Sequence, residues 1–101
     1  MTTIIFEPDF PRMRFKGHAG SGPYGQDLVC AAVSTLAGTL AAALEEWGIG
    51  ADVTQGDGDV SIQAKPTLQQ WRDAALIFET IEAGAELLEK KYPEHVNTMR
   101  T

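Results

Sequence analysis

Only one cysteine, Cys30, stands among the 101 residues. No disulfide can close within the chain, and no multi-cysteine zinc site can be assembled. Basic residues are also scarce, with 8 Lys and Arg against 14 Asp and Glu and a formal net charge of −6. That balance disfavours a nucleic-acid partner, whose phosphates are held by clustered Lys and Arg, and suits a basic protein or peptide instead. The first ten residues lack the basic start, apolar middle and small-residue cleavage site of a secretion signal, so a cytoplasmic location is expected. The longest uncharged run, Leu28 to Leu44, approaches the ~17-residue lower limit of a membrane span. Ser34, Thr35, Gly38 and Thr39 interrupt it, and the expectation is no membrane contact and a nearly fully buried core helix. There is no internal repeat and no low-complexity segment.

What is present is enough for one domain over residues 1–101, since 44% of the chain is hydrophobic and a chain of this length fills one core. Thr3 to Glu7 is a β-branched run, Pro8-Asp9-Phe10-Pro11 is turn chemistry, and Arg12 to Lys16 alternates, with Met13 and Phe15 on one face. These read as a hairpin whose second strand ends at Gly17-His18. Gly20 to Gly25 is too rich in glycine for a strand or helix and reads as a loop. Asp27 suits the N-cap of a helix from about Leu28 to Trp47, roughly 30 Å long and stopped at Gly48.

Residues 51–55 and 60–64 flank Gly56-Asp57-Gly58-Asp59 as a second hairpin. Thr67 and Gln70 have the spacing of a capping box, and Trp71, Ala74, Phe78, Ile81, Ala85, Leu88 and Tyr92 form the stripe of an amphipathic helix. The last residues, Glu94 to Thr101, read as a loose tail with His95 exposed and functionless. The order ββαββα implies an α+β domain, two helices packed on a largely antiparallel sheet of about four strands.

Chemistry centres on Cys30, the third residue after the expected Asp27 cap. An ordinary thiol is only a few per cent ionised at pH 7, and a helix N-terminus by itself shifts that little. An imidazole could supply the rest, and the histidine placed near is His18, at the strand end twelve positions earlier. The residues alone leave each role open. A cysteine in an Ala-rich helix also serves as a small buried hydrophobe, and a histidine at a strand end is often structural. Asp27 caps the helix or orients His18. Ser34, one turn after Cys30, supports the site or bonds back to a helix carbonyl. Gly20, Gly22 and Gly25 fit neither the Walker nor the dinucleotide-binding pattern.

The segment Gly17-His18-Ala19-Gly20, then Gly25, then Asp27-Leu28-Val29-Cys30-Ala31-Ala32-Val33-Ser34, resembles the signature of the ribosomal-processing cysteine protease family, often called Prp. The His-to-Cys interval, the Asp three before the Cys and the Ser four after it all coincide. Ser21, Pro23 and Gln26 depart from the pattern, standing where an aromatic, an acidic residue and a lysine are expected. The resemblance implies a homodimeric endopeptidase that needs no metal or organic cofactor. Its implied substrate is the precursor of large-subunit ribosomal protein twenty-seven, whose short N-terminal extension it removes after a Phe-rich stretch and before Ala. It further implies Cys30 as nucleophile and His18 as general base, with Asp27 and Ser34 supporting. The segment carrying Gly20, Gly22, Tyr24 and Gly25 is implied to be a flexible loop that orders over the peptide. Competing expectations are a non-enzymatic module that binds a ribosomal protein or assembly intermediate, and a cysteine hydrolase with another substrate.

Overall fold

The computed structural model describes residues 1–17 and 28–101 in full and residues 24–27 as helical backbone. The described elements run β1 (Thr2–Glu7), β2 (Arg12–Lys16), α1 (Tyr24–Glu46), β3 (Gly50–Gly56), β4 (Asp59–Lys65), a 3₁₀ turn (Leu68–Gln70), α2 (Trp71–Lys91) and β5 (Val96–Arg100). They build the α+β architecture read from the sequence, with one strand more. The sheet order is β3-β4-β2-β1-β5, antiparallel except where β5 lies parallel to β1.

Strand alternation sorts the side chains onto two faces. Ile4 and Phe6 of β1, Met13 and Phe15 of β2, and Ile62 and Ala64 of β4 are buried beneath the helices. Val29, Val33, Leu40 and Leu44 of α1 and Ala74, Phe78, Ile81 and Ala85 of α2 close the core from above. Phe6 and Phe78 stack at 5.5 Å with nearly parallel rings, tying the sheet to α2. On the opposite sheet face Glu7 accepts from Arg12 Nε at 2.8 Å and Arg14 Nε at 3.0 Å.

Four expectations need correction. First, the tail is not loose, because residues 96–100 form β5 along the second edge of β1. Thr2 N–H donates to the His95 carbonyl and Thr101 N–H to the Phe6 carbonyl, fastening both ends of that strand. Its partner is more than ninety positions away and its own pattern barely alternates, so no local signal marks it. Second, His95 is half-buried in the turn just before β5 rather than exposed.

Third, α1 begins at Tyr24, so Asp27 lies within its first turn instead of capping it, and Tyr24 and Gly25 are helical rather than loop. Glycine lowers helix propensity by only about 1 kcal/mol, which the rest of a long helix can override. Fourth, α1 is not nearly fully buried. Leu28, Cys30, Ala31, Ser34, Thr35, Gly38, Thr39 and Ala42 are all exposed, because the sheet covers a single face. Leu28–Glu46 is long and apolar enough to cross a membrane by length and composition, with 28% of it buried in the fold.

The capping-box spacing is realised one element earlier than the long helix it was read for. Thr67 N–H donates to Gln70 Oε1 at 3.0 Å across the 3₁₀ turn, and α2 follows directly.

Candidate active site

Strand registers gather several chain segments at one end of the sheet. Lys16 pairs with both Thr3 and Asp59, and Asp59 with Gly56, so β1 and β4 begin where β2 and β3 end. The head of α1 belongs to that end too. Its far end turns through Gly48 straight into β3, with Ile49 N–H donating to the Leu44 carbonyl. From Cys30 to Glu46 α1 rises about 24 Å. The run from Gly50 to Gly56 spans about 20 Å in return. The tip of the β3–β4 hairpin is thereby carried back toward the level of Cys30.

Gly17 is the last described residue before His18. Its N–H donates to the Gly58 carbonyl at 2.8 Å, and its φ of +105° is one that L side chains rarely adopt. A Cβ there would lie 2.3 Å from the Met1 carbonyl oxygen. Only glycine fits this corner, where β2 leaves the sheet between the hairpin tip and the N-terminus. The sequence reading placed Gly17 at the strand end without assigning it this task. A glycine directly after an alternating strand and before a candidate base was the signal available.

Cys30 is the seventh residue of α1 and is exposed. It therefore sits in the second helical turn, rather than in the first turn three residues after an Asp27 cap as expected. Its own N–H is an interior helix donor, and the amides without helical acceptors belong to the first turn. The helix macrodipole fades within that turn, so its help to a thiolate here is slight. Ser34 is exposed one turn on, on the same flank as Cys30. His18, Gly20 and Gly22 lie outside the described residues, and so does the side chain of Asp27. Among the described residues no group of three or more His, Cys, Asp or Glu side chains could hold a metal ion.

Solved structures share this fold. The ribosomal processing protease Prp of S. aureus, with a covalently linked product peptide, superposes at a TM-score of 0.83 with 24% identity, covering all of both chains. The same S. aureus protease with a substrate peptide gives 0.82 at 23% identity, again over the whole of both. SMU.848 from Streptococcus mutans is 32% identical, with a TM-score of 0.70, over 99% of this chain and 93% of its own. No curated protein sequence matches. The profile of the cysteine protease Prp family covers residues 1–97. A two-layer α+β domain with a solvent-accessible thiol on its long helix is thus, in class, a cysteine protease. The chain belongs to the cysteine protease Prp family.

Proposed function

We propose that this chain is a ribosomal-processing endopeptidase that removes the short N-terminal extension of large-subunit ribosomal protein twenty-seven through a Cys30–His18 dyad. The observation that carries the reading is the position of Cys30. It is the one sulfur nucleophile in a chain of a cysteine protease family, and it is exposed rather than packed into the core. The name of the S. aureus relative, a ribosomal processing protease seen with a substrate peptide and with a product peptide, supports the substrate class.

In this mechanism His18 takes the proton of the Cys30 thiol, and the thiolate attacks the scissile carbonyl carbon. The amide N–H groups of the first turn of α1, which have no acceptor within the helix, serve as donors to the oxyanion. His18 returns the proton to the leaving amine as the C–N bond breaks, leaving a thioester. Water, deprotonated by the same imidazole, hydrolyses that thioester and restores the thiol. Asp27 and Ser34 support the dyad, and Gly20 and Gly22, having no side chain, suit a close approach of the substrate backbone. The enzyme works in the cytoplasm as a homodimer.

The test is to incubate the full-length precursor with the wild-type, Cys30→Ala and His18→Ala proteins and to weigh the products by mass spectrometry. Wild type is expected to release the N-terminal extension, and both variants to leave the precursor whole while keeping wild-type circular dichroism. Cleavage by either variant removes that residue from the mechanism. A folded wild type that binds the precursor without cutting it would make the chain a binding module. Alkylation by iodoacetamide well below pH 8, lost in His18→Ala, is the expected sign of an imidazole-activated thiolate.

A further inference from the structure

Both helices pack on one face of the sheet, and the other face carries charge. Met13 and Phe15 of β2 are buried beneath the helices. Alternation therefore sends Arg12, Arg14 and Lys16 outward from the central strand of the sheet. At the Arg12 end the charge is met, because Glu7 accepts from Arg12 Nε and Nη2 and from Arg14 Nε. At the Lys16 end it is not. Arg14 commits only its Nε to Glu7, and among the described residues Lys16 makes no side-chain hydrogen bond or ion pair.

The registers of β2, β4 and β3 lay two rungs across this end. One runs through Arg14, Ser61 and Thr54, and the next through Lys16, Asp59 and Gly56. β2 and β3 lie two strand spacings apart, about 10 Å, and the rungs are about 7 Å apart. Long side chains stand on the β2 side, whereas Ser61 is short and Gly56 has no side chain. The hollow between them is a cavity of about 250 Å³ lined by all six residues.

Its walls offer donors from Arg14 and Lys16 and the hydroxyls of Thr54 and Ser61. They also hold one group that only accepts, the Asp59 carboxylate, which has no side-chain partner among the described residues. Arg12, Arg14 and Lys16 face Glu7 and Asp59, leaving one positive charge in excess within a chain of net charge −6. Further along β3 and β4, Asp52 is paired with Lys65, and Asp57 at the hairpin tip does not line the cavity.

We propose that this cavity is a binding site for inorganic phosphate. Arg14 and Lys16 hold the oxyanion, the two hydroxyls donate to it, and Asp59 accepts a hydrogen bond from its remaining P–OH. The carboxylate selects the ion. It repels sulfate, which has no proton to offer at neutral pH, and pairs with a phosphate that retains one. A phosphate monoester, with a second pKa of about 6, has given that proton up above pH 7. The sheet stands between this cavity and Cys30 on α1, so the site does not depend on the cysteine chemistry.

The experiment titrates the full-length protein with sodium phosphate, sodium sulfate or glycerol phosphate at pH 7.5 and constant ionic strength. The amide signals of Lys16, Thr54 and Gly56 are followed by heteronuclear NMR. Phosphate is expected to give saturable shifts there, with sulfate and the monoester binding roughly 5-fold more weakly, the scale of one exposed charged hydrogen bond. Asp59→Asn, whose side chain also donates, should erase or invert the preference for phosphate over sulfate. Lys16→Gln should weaken phosphate by a similar factor. Both side chains are exposed, so signals elsewhere should stay those of wild type. Equal affinity for the three anions, shifts that never saturate, or an Asp59→Asn protein that keeps the wild-type preference overturns the site. So does unchanged phosphate affinity in Lys16→Gln. Should a variant fail to fold, the three-anion comparison on wild type decides alone.

Discussion

Two residues carry local constraints, one beside the site and one at the far end of the β1–β2 pair. Gly17 holds a backbone conformation foreign to L side chains, against the Met1 carbonyl. Gly17→Ala should cost about 2 kcal/mol of stability, read by denaturant unfolding, and it should lower turnover further by displacing the exit toward His18. Glu7 is the second. Its hydrogen bond from Arg12 outweighs the burial that pushes the other way and, with the charges of Arg12 and Arg14, holds the carboxyl below its usual range. Because the folded value is depressed, the stabilisation is present above the unfolded pKa of about 4.3 and is lost as pH falls through the folded value. Glu7→Gln should therefore cost about 1 kcal/mol at pH 7, and the gap to wild type should close on acidification, as thermal melts across pH would record. Cys30 and its spacing from His18 were legible in the sequence. The exposure of Cys30 was not, because which side of an Ala-rich helix meets the sheet depends on distant strands.

At the scale of elements, the hairpins and α2 followed from alternation and from the three-and-four spacing of Trp71 to Leu88. β5 and the true start of α1 did not. β5 exists because β1 offers a second edge, and its Val96 is buried. Removing residues 95–101 should expose Ile4 and Phe6 and lower the melting temperature by more than 10 °C, about the effect of 2 kcal/mol or more in a domain this small. Where the helices cross, a Cβ on Gly84 would come within 2.9 Å of Leu36 Cδ2. That atom is the free end of a side chain bordering a groove of about 380 Å³. The overlap can relax into the groove while alanine gains about 1 kcal/mol of helix propensity. Gly84→Ala should accordingly leave stability within about 1 kcal/mol of wild type, and a bulkier Gly84→Leu should not.

For the whole molecule, the layered packing of α2 on β1 joins the sheet's central strands to the helices, and the Phe6–Phe78 stack is its centre. Phe78→Ala should cost about 3–5 kcal/mol, visible as an earlier urea midpoint with little change in slope. The acidic balance of the chain acts at this scale as well, as a summed field that attracts cations rather than through one contact.

The sequence by itself determined the α+β class, six of the seven helices and strands, and the pair of residues to which the chemistry is assigned, because periodicity, turn residues and motif spacing are local properties. Tertiary structure decided which face of α1 is covered, that Cys30 is open to solvent, that the C-terminus completes the sheet, and that β3 is an exposed outer strand. Each of those depends on strands meeting across tens of residues, where pairing geometry and burial, rather than local preference, select the outcome.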